Sequence, residues 1–255
     1  MPNPFAARRA AFRALHAEGC FALPNPWDAG SAKRLAKLGF KALASTSAGA
    51  AWALGKDDGQ ITRDEAIAHL RMLCAGTDLP VNADFEDGFA ETPEGVVENV
   101  ALAVEAGVAG LSIEDWSGQA LYDLPVAVER LRAARAAIDA TGQDVLLIGR
   151  TEGYLRGMKD LAPTLERLRA YAAAGADCLY APGVSDPDEI EAIVQAVAPK
   201  PVNVLLWGPE MSVETLGALG VRRVSTGGAL AAAAWAGFDA AARRLAEEGR
   251  LMPRA

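Results

Sequence analysis

The sequence predicts an α/β fold of the (β/α)8 barrel type, and three observations carry that prediction. Eight short apolar runs alternate with stretches of helical periodicity, one glycine-bearing joint recurs where helices end, and polar or acidic residues gather just after the runs. The runs are Cys20–Leu23, Ala42–Ser45, Pro80–Ala83, Gly110–Ile113, Val145–Ile148, Cys178–Tyr180, Val202–Leu206 and Arg223–Ser225. The joint reads Leu38-Gly39-Phe40, Ala106-Gly107-Val108, Ala174-Gly175-Ala176 and Leu219-Gly220-Val221, each glycine placed where a helix C-terminus is capped before the next strand. Eight such units in 255 residues fit one closed barrel spanning 1–255, with a C-terminal helical segment at about 228–250. A doubly wound open sheet is the alternative.

In a barrel the C-terminal strand ends share one face, so the residues after each run can be read in order. The first end gives Asn25, Trp27 and Asp28; the second gives Ser45, Thr46 and Ser47, with Asp57 and Asp58 in the loop beyond. The third and fourth carry Asp84-Phe85-Glu86-Asp87-Gly88 and Glu114-Asp115. The fifth gives Arg150, Thr151 and Glu152, the seventh Asn203, and the eighth Ser225-Thr226-Gly227-Gly228. The last group suits either a phosphate or a tight turn, and the turn is the commoner use.

Asp, Glu and Gly are also ordinary turn formers and N-caps, so one acidic cluster alone decides nothing. Two clusters at equivalent places in successive strand-helix units favour function. Converging carboxylates suit a hard divalent cation such as Mg²⁺, which leaves positions open to water and substrate oxygens.

Composition narrows the partners. A net charge of −8 with no compensating basic run argues against nucleic acid or an anionic membrane and points to a small ligand. No run reaches membrane-spanning length and the N-terminal stretch lacks a signal-peptide core, so a cytoplasmic location is expected. Cys20, Cys74 and Cys178 are odd in number and widely spaced, which predicts buried free thiols rather than a disulfide or a zinc site.

The chemistry is limited by what the tips lack. His16 and His69 fall in predicted helices away from the tips, where a solvated helical face is expected, so no histidine base is placed. Lys33, Lys37, Lys41, Lys56, Lys159 and Lys200 lie outside the tips, which removes a Schiff-base amine. What remains is a metal held by acids, Arg150 shaped for a two-point carboxylate contact, and backbone amides at Thr46-Ser47 able to meet an oxyanion. These parts suit an enolate: Mg²⁺ chelated by a 2-oxo acid would polarise its carbonyl while an adjacent bond breaks. The structural reading of Arg150 is an ion pair with Glu152 or another tip acid.

The phrases Asn25-Pro26-Trp27-Asp28-Ala29-Gly30-Ser31-Ala32, Thr46-Ser47-Ala48-Gly49 with Leu54-Gly55 and Asp58, Ala83-Asp84-Phe85-Glu86-Asp87-Gly88-Phe89, Ser112-Ile113-Glu114-Asp115 and Gly149-Arg150-Thr151-Glu152 resemble the isocitrate lyase and phosphoenolpyruvate mutase superfamily. The resemblance runs roughly from Asn25 to Trp235. It implies that Asp84 holds Mg²⁺ (or Mn²⁺) directly or through water, that Glu86 stands where the family has a second Asp, and that Glu114 and Asp58 complete the acids around the metal. Thr46 and Ser47 take the place of the loop that holds the substrate carboxylate and oxyanion, Arg150 that of the enolate-stabilising arginine, and Asn203 that of a substrate-binding asparagine. Trp27 and Asp28 at the first tip join them as candidate substrate contacts. The family's tetramers exchange a C-terminal helix between subunits, which implies a homo-oligomer here, a dimer of dimers, using Ala229–Trp235.

Two departures bear on the substrate. Where the lyases carry a gating loop with a catalytic cysteine, this chain reads Trp116-Ser117-Gly118-Gln119-Ala120-Leu121-Tyr122-Asp123; the thiol is absent, and so are the Lys and Asn of the mutase. Ala181-Pro182-Gly183 replaces the glutamate expected after the sixth strand. The expectation is therefore a Mg²⁺-dependent lyase that cleaves a C–C bond of a small 2-oxo or 2-hydroxy acid, decarboxylase-like or lyase-like, with Tyr122 or water as proton source. Its rivals are a phosphonopyruvate-type hydrolase or mutase that breaks a P–C bond, and a non-catalytic 2-oxo acid binding protein.

Overall fold

The computed structural model describes residues 4–251. The strands are β1 (Phe21–Leu23), β2 (Leu43–Ala44), β3 (Val81–Asp84), β4 (Gly110–Glu114), β5 (Leu146–Arg150), β6 (Cys178–Tyr180), β7 (Val202–Leu205) and β8 (Arg223–Ser225). They form one parallel sheet in the order β1-β8-β7-β6-β5-β4-β3-β2. Between β1 and β2 the seam is drawn together just beyond β1, where the Ala44 amide donates to the Pro24 carbonyl at 3.1 Å and the Asn25 side-chain amide to the Ser45 carbonyl at 2.7 Å. The result is a nearly closed (β/α)8 barrel.

The helices follow from local signals. α2 (Ala29–Lys37), α4 (Arg63–Gly76), α5 (Pro93–Glu105), α7 (Leu161–Ala173), α8 (Pro187–Val197) and α9 (Val213–Ala218) start on Asp28, Thr62, Thr92, Asp160, Asp186 and Ser212, whose side chains accept first-turn amides. α3 (Ser47–Ala53) starts on Thr46 in the same way. α6 (Leu124–Ala140) starts with proline in its first turn. α10 (Ala229–Glu248) ends on left-handed Gly249. At the helix-to-strand joints Gly107 and Gly175 both sit at φ 103°, a conformation that a side chain resists.

Two cores result from the alternation along each strand. Leu43, Val81, Ala83, Leu111, Ile113, Leu147, Leu179, Val202 and Val224 face outward against the helices. Leu23, Ala44, Leu146, Ile148, Cys178 and Tyr180 pack together with Phe12 of an additional helix, α1 (Ala6–Leu15). Arg9 of α1 is buried and donates to the carbonyls of Val104 and Val108 and to the Gln143 side chain, which ties the helix to the chain just before β4 and β5. The opposite ends of the strands are left for the site.

The histidine expectation needs correction. His16 is buried at the end of α1, its ring edge-on to Phe12 and Phe21, with Nδ1 2.8 Å from the Phe12 carbonyl and Nε2 3.5 Å from the Arg223 guanidinium. Burial, then Arg223, pushes its pKa down to about 3. His69 is half-buried and bonds the Trp27 carbonyl at 2.9 Å, beside a strand tip rather than away from one. Both rings cover barrel structure that periodicity within their own helices does not report.

Candidate active site

Arg150, at the end of β5, is the hub of the site. Its Nη1 donates to Asp84 Oδ1 at 2.9 Å, its Nε to Glu152 Oε1 at 2.6 Å, and Glu114 Oε2 lies 3.3 Å from Nε. The sheet register makes this geometry: Glu114 pairs with Arg150 across β4 and β5, and Asp84 ends the neighbouring β3. On its other oxygen Asp84 accepts the Ser47 amide at 3.0 Å and the Ser47 hydroxyl at 3.1 Å, and that hydroxyl lies 3.3 Å from Asp58 Oδ1. Ser45 Oγ accepts the Asp84 amide at 2.8 Å and fixes the tip from below.

Asp115 organises the second half of the acidic motif. It is buried and accepts from the Glu152 amide, the Tyr171 hydroxyl and Arg167, thereby holding the loop that presents Glu152 toward Arg150. Asp87 likewise accepts from Tyr122 and Arg130. Asp115 is thereby committed to structure, whereas Asp87 also lines the second cavity.

The cavity-facing acids are short of positive charge. Glu86 has φ 45° in the left-handed region, an outlier of the kind stored at functional sites, and its buried Oε1 has no hydrogen-bond partner. Burial first, then Asp84, Asp58 and Asp87, push its pKa up to about 8. Burial raises Glu114 well above the usual carboxylate range, against the pull of Arg150, and burial followed by Asp84 raises Asp58. For Arg150, burial opposes the charge, yet Glu114, Glu152 and Asp84 outweigh it and keep the guanidinium protonated.

Such a cluster, with an orphaned buried oxygen, fits a hard divalent cation. Among the described residues no group of three or more His, Cys, Asp or Glu is set closely enough to hold a metal ion by itself. An ion seated here would have few protein ligands and take its remaining oxygens from water or substrate.

Two cavities meet at this hub. One of about 500 Å³ runs over Ser45, Asn82, Asp84, Tyr180, Asn203 and Arg223, and the other, of about 360 Å³, over Glu86, Glu114 and Trp116. Ser47, Asp58, Arg150 and Arg156 line both. Thr46 lines the first, its hydroxyl capping α3 through the Gly49 amide. Asn203 lines it too, held inside β7 by accepting from Arg223 and donating to Ser225. Trp27 and Asp28 line neither, and the Asp28 carboxylate caps α2 by accepting from Ser31. Tyr122 also lies outside both linings, with its hydroxyl on Asp87 and its pKa pushed up to about 12 by burial and that bond.

Arg223, Tyr180 and Arg156 are among the cavity residues that the sequence did not single out. Arg223 is a buried guanidinium in β8 whose contacts are Asn203, Asn82 and His16. An arginine opening an apolar strand was its available signal. Tyr180 lies under Arg150, the guanidinium 5.4 Å from the ring centre. Arg156 sits in the loop after β5, where nothing in the local sequence distinguishes it.

An eight-stranded parallel barrel carrying an arginine-centred acid cluster at its strand tips has the form of a barrel enzyme. The phosphoenolpyruvate phosphomutase family model matches residues 12–246. A Burkholderia cenocepacia J2315 protein provisionally named a lyase/mutase superposes with a TM-score of 0.94 at 47% identity, covering 98% of this chain and 92% of its own. Oxaloacetate decarboxylase of Bradyrhizobium sp. strain BTAi1 is 32% identical over 229 residues, 86% of this chain and 77% of that one. The structure of oxaloacetate acetylhydrolase in complex with the product oxalate gives a TM-score of 0.90 at 28% identity, covering 98% and 90% of the two chains. The chain belongs to the phosphoenolpyruvate phosphomutase family and is an enzyme of the PEP mutase/isocitrate lyase superfamily.

Proposed function

We propose that this protein is a Mg²⁺-dependent lyase that cleaves a C–C bond of a small 2-oxo or 2-hydroxy carboxylic acid through an enolate, with Mn²⁺ as an acceptable substitute. The observation that carries the reading is the Asp84–Arg150–Ser47 junction beside acids left without enough cationic compensation. Asp84 would hold the ion, with Glu86, Glu114 and Asp58 around it. Bound there, Mg²⁺ supplies polarisation of the substrate carbonyl and charge to offset the developing enolate.

The chain's own groups do the rest. Arg150 is kept protonated and its planar fork directs charge at an oxyanion or carboxylate. Thr46 and Ser47 line the first cavity, and the Ser47 amide and hydroxyl hold Asp84 in place for the ion and the substrate. Asn203 and Arg223 give the deep wall polar contacts. No cysteine lines either cavity, so the proton that quenches the enolate comes from water or another group.

Steady-state assay of oxaloacetate against phosphonopyruvate, with Mg²⁺ or Mn²⁺, tests the reading. Turnover of oxaloacetate above the metal-only rate supports it. Preferential turnover of phosphonopyruvate would replace it with P–C bond chemistry, for which Arg156 offers a cation beyond Arg150. Binding of 2-oxo acids without any turnover would make the protein a binding module.

Homo-oligomerisation as a dimer of dimers belongs to the same proposal. α10 buries Ala231 but leaves Trp235, Phe238 and Leu245 at 38%, 62% and 49% exposure, an apolar face suited to a second copy of the chain. A cytoplasmic setting is in keeping with three cysteines that form no disulfide, and no helix of the described residues is long and apolar enough to cross a membrane.

A further inference from the structure

Arg156 stands at the junction of the two cavities with most of its donors uncommitted. It lines both, and its guanidinium makes no hydrogen bond with any described residue. Two contacts hold it in place. Nη2 lies 3.2 Å from Glu152 Oε2, an ion pair without hydrogen-bond geometry, and the guanidinium stands over the Trp116 ring at 4.5 Å.

Trp116 is a fixed platform. It pairs with Leu121 in an isolated antiparallel bridge, and between them Ser117 receives the amides of Gln119 and Ala120 on its hydroxyl while its own amide donates to the Ala120 carbonyl at 3.0 Å. The segment after β4 is thus a tight turn that presents an aromatic face. Glu152, which is buried and anchored on Arg150, supplies the other side. A guanidinium held by stacking and by one ion pair at Nη2 keeps its remaining N–H groups free to meet an anion in the cavity.

We propose that Arg156 is the specificity-determining residue that binds the distal carboxylate of the substrate, so that the site takes a four-carbon-type 2-oxo or 2-hydroxy dicarboxylate in preference to its monocarboxylate counterpart. The inference rests on the acid-binding reading above. In that arrangement the C1 carboxylate and the 2-oxygen lie toward Asp84, Ser47 and Arg150, and the far carboxylate reaches Arg156. Trp116 and Glu152 orient the guanidinium; they do not contact the substrate.

Malate and lactate differ only in that distal carboxylate, and calorimetric titration of both into the whole protein with Mg²⁺ reads the contact directly. Wild type should bind malate more tightly than lactate. Arg156→Gln should weaken malate about tenfold or more, as expected for loss of a charge-assisted contact, and change lactate by less than about twofold. Arg156→Lys should recover part of the preference, and Trp116→Leu should lose part of it. Equal effects of Arg156→Gln on the two ligands, or none, would overturn the assignment. If wild type binds both equally, Arg156 has no such role while the acid-binding reading stands; if it binds neither, that reading falls and the role of Arg156 with it. Phosphonolactate, which carries a distal phosphonate, is the third ligand, and its tighter binding through Arg156 would overturn the choice of carboxylate.

Discussion

Replacing Asp84 with Asn removes one negative charge where β3, α3 and β5 meet, and the contacts set the cost. Asp84 accepts from Arg150 on one oxygen and from the Ser47 amide and hydroxyl on the other. Asparagine has a single acceptor oxygen, so its NH₂ group must face either the guanidinium or Ser47, donor against donor, whichever way it turns. Hydrogen bonds to charged groups contribute about 1.5–3 kcal/mol, and one such set is lost. Relief of repulsion opposes this, since burial and then neighbouring charge, Asp84 included, hold Asp58 and Glu86 above the usual range. Burial, the larger cause at both Asp58 and Glu86, already disfavours their ionised forms and limits the repulsion there is to relieve, so the lost hydrogen bonds decide the sign.

A net loss of about 1–3 kcal/mol lowers Tm by roughly 3–10 °C in a domain of this size without metal. If the ion sits where proposed, Mg²⁺ at about 100 times its Kd should stabilise wild type by about 2.7 kcal/mol, or roughly 5–10 °C. Asp84→Asn should lose that Mg²⁺-dependent rise along with nearly all turnover while keeping its far-ultraviolet circular dichroism. Paired thermal melts with and without Mg²⁺, together with calorimetric Mg²⁺ titration, make the measurement. A folded variant with wild-type Mg²⁺ affinity would refute the placement of the ion at Asp84.

Arg150→Lys should lower kcat/KM about a hundredfold or more, because an ammonium cannot span Asp84 and Glu152 while facing the substrate; unchanged kinetics would leave Arg150 a structural ion pair. Replacing Cys20, Cys74 and Cys178 together with Ala should leave activity within about twofold in the folded protein, since burial raises the pKa of each thiol and none lines the cavities; a lost activity restored by one cysteine would disprove this. His16 has a folded pKa pushed below its unfolded value, so its contribution is complete above about pH 6.5 and declines as pH falls toward about 3. His16→Gln should therefore reduce the loss of stability between pH 7.5 and 4.5 by about 1–3 kcal/mol in urea unfolding, and an unaltered pH dependence would show that His16 does not titrate with folding. Light scattering at micromolar concentration should give a homo-oligomer that Trp235→Glu with Phe238→Glu reduces in size, and a monomeric wild type would remove the proposed role of α10.

What the sequence makes legible follows from where its constraints act. A parallel strand buried on both faces must be a continuous apolar run, so all eight strands can be read with ends displaced by at most two residues, the largest shift being at β5, which runs to Arg150. Strand tips inherit their position from the strands, and for that reason Asp84, Glu114 and Arg150 could be placed on one face before any coordinates. The same logic fails where a polar side chain has a local use. Asp28 follows a strand as Asp84 does, but Ser31 three residues on makes it half of a capping box, and its carboxylate is spent on α2.

Partners distant in sequence are harder still. Arg9 reads as the polar face of an amphipathic helix, yet it is buried because the carbonyls of Val104 and Val108, about a hundred residues away, satisfy it. His16 and Arg223 share the barrel interior across 207 positions, and neither sequence neighbourhood names the other. Arg156 is the extreme case: its loop carries no motif, and its place over Trp116 exists only because β4 and β5 are adjacent and the turn after β4 is short. The carboxylates and Arg150 proposed to carry the chemistry lie on strand tips, where local pattern is enough, whereas the group proposed to choose the substrate lies on a loop whose position is fixed by contacts formed after the barrel closes. A reading of the tips alone therefore reaches the proposed reaction class before it reaches the substrate, and on the proposal above the residue to alter for a change of substrate is Arg156 rather than any acid of the cluster.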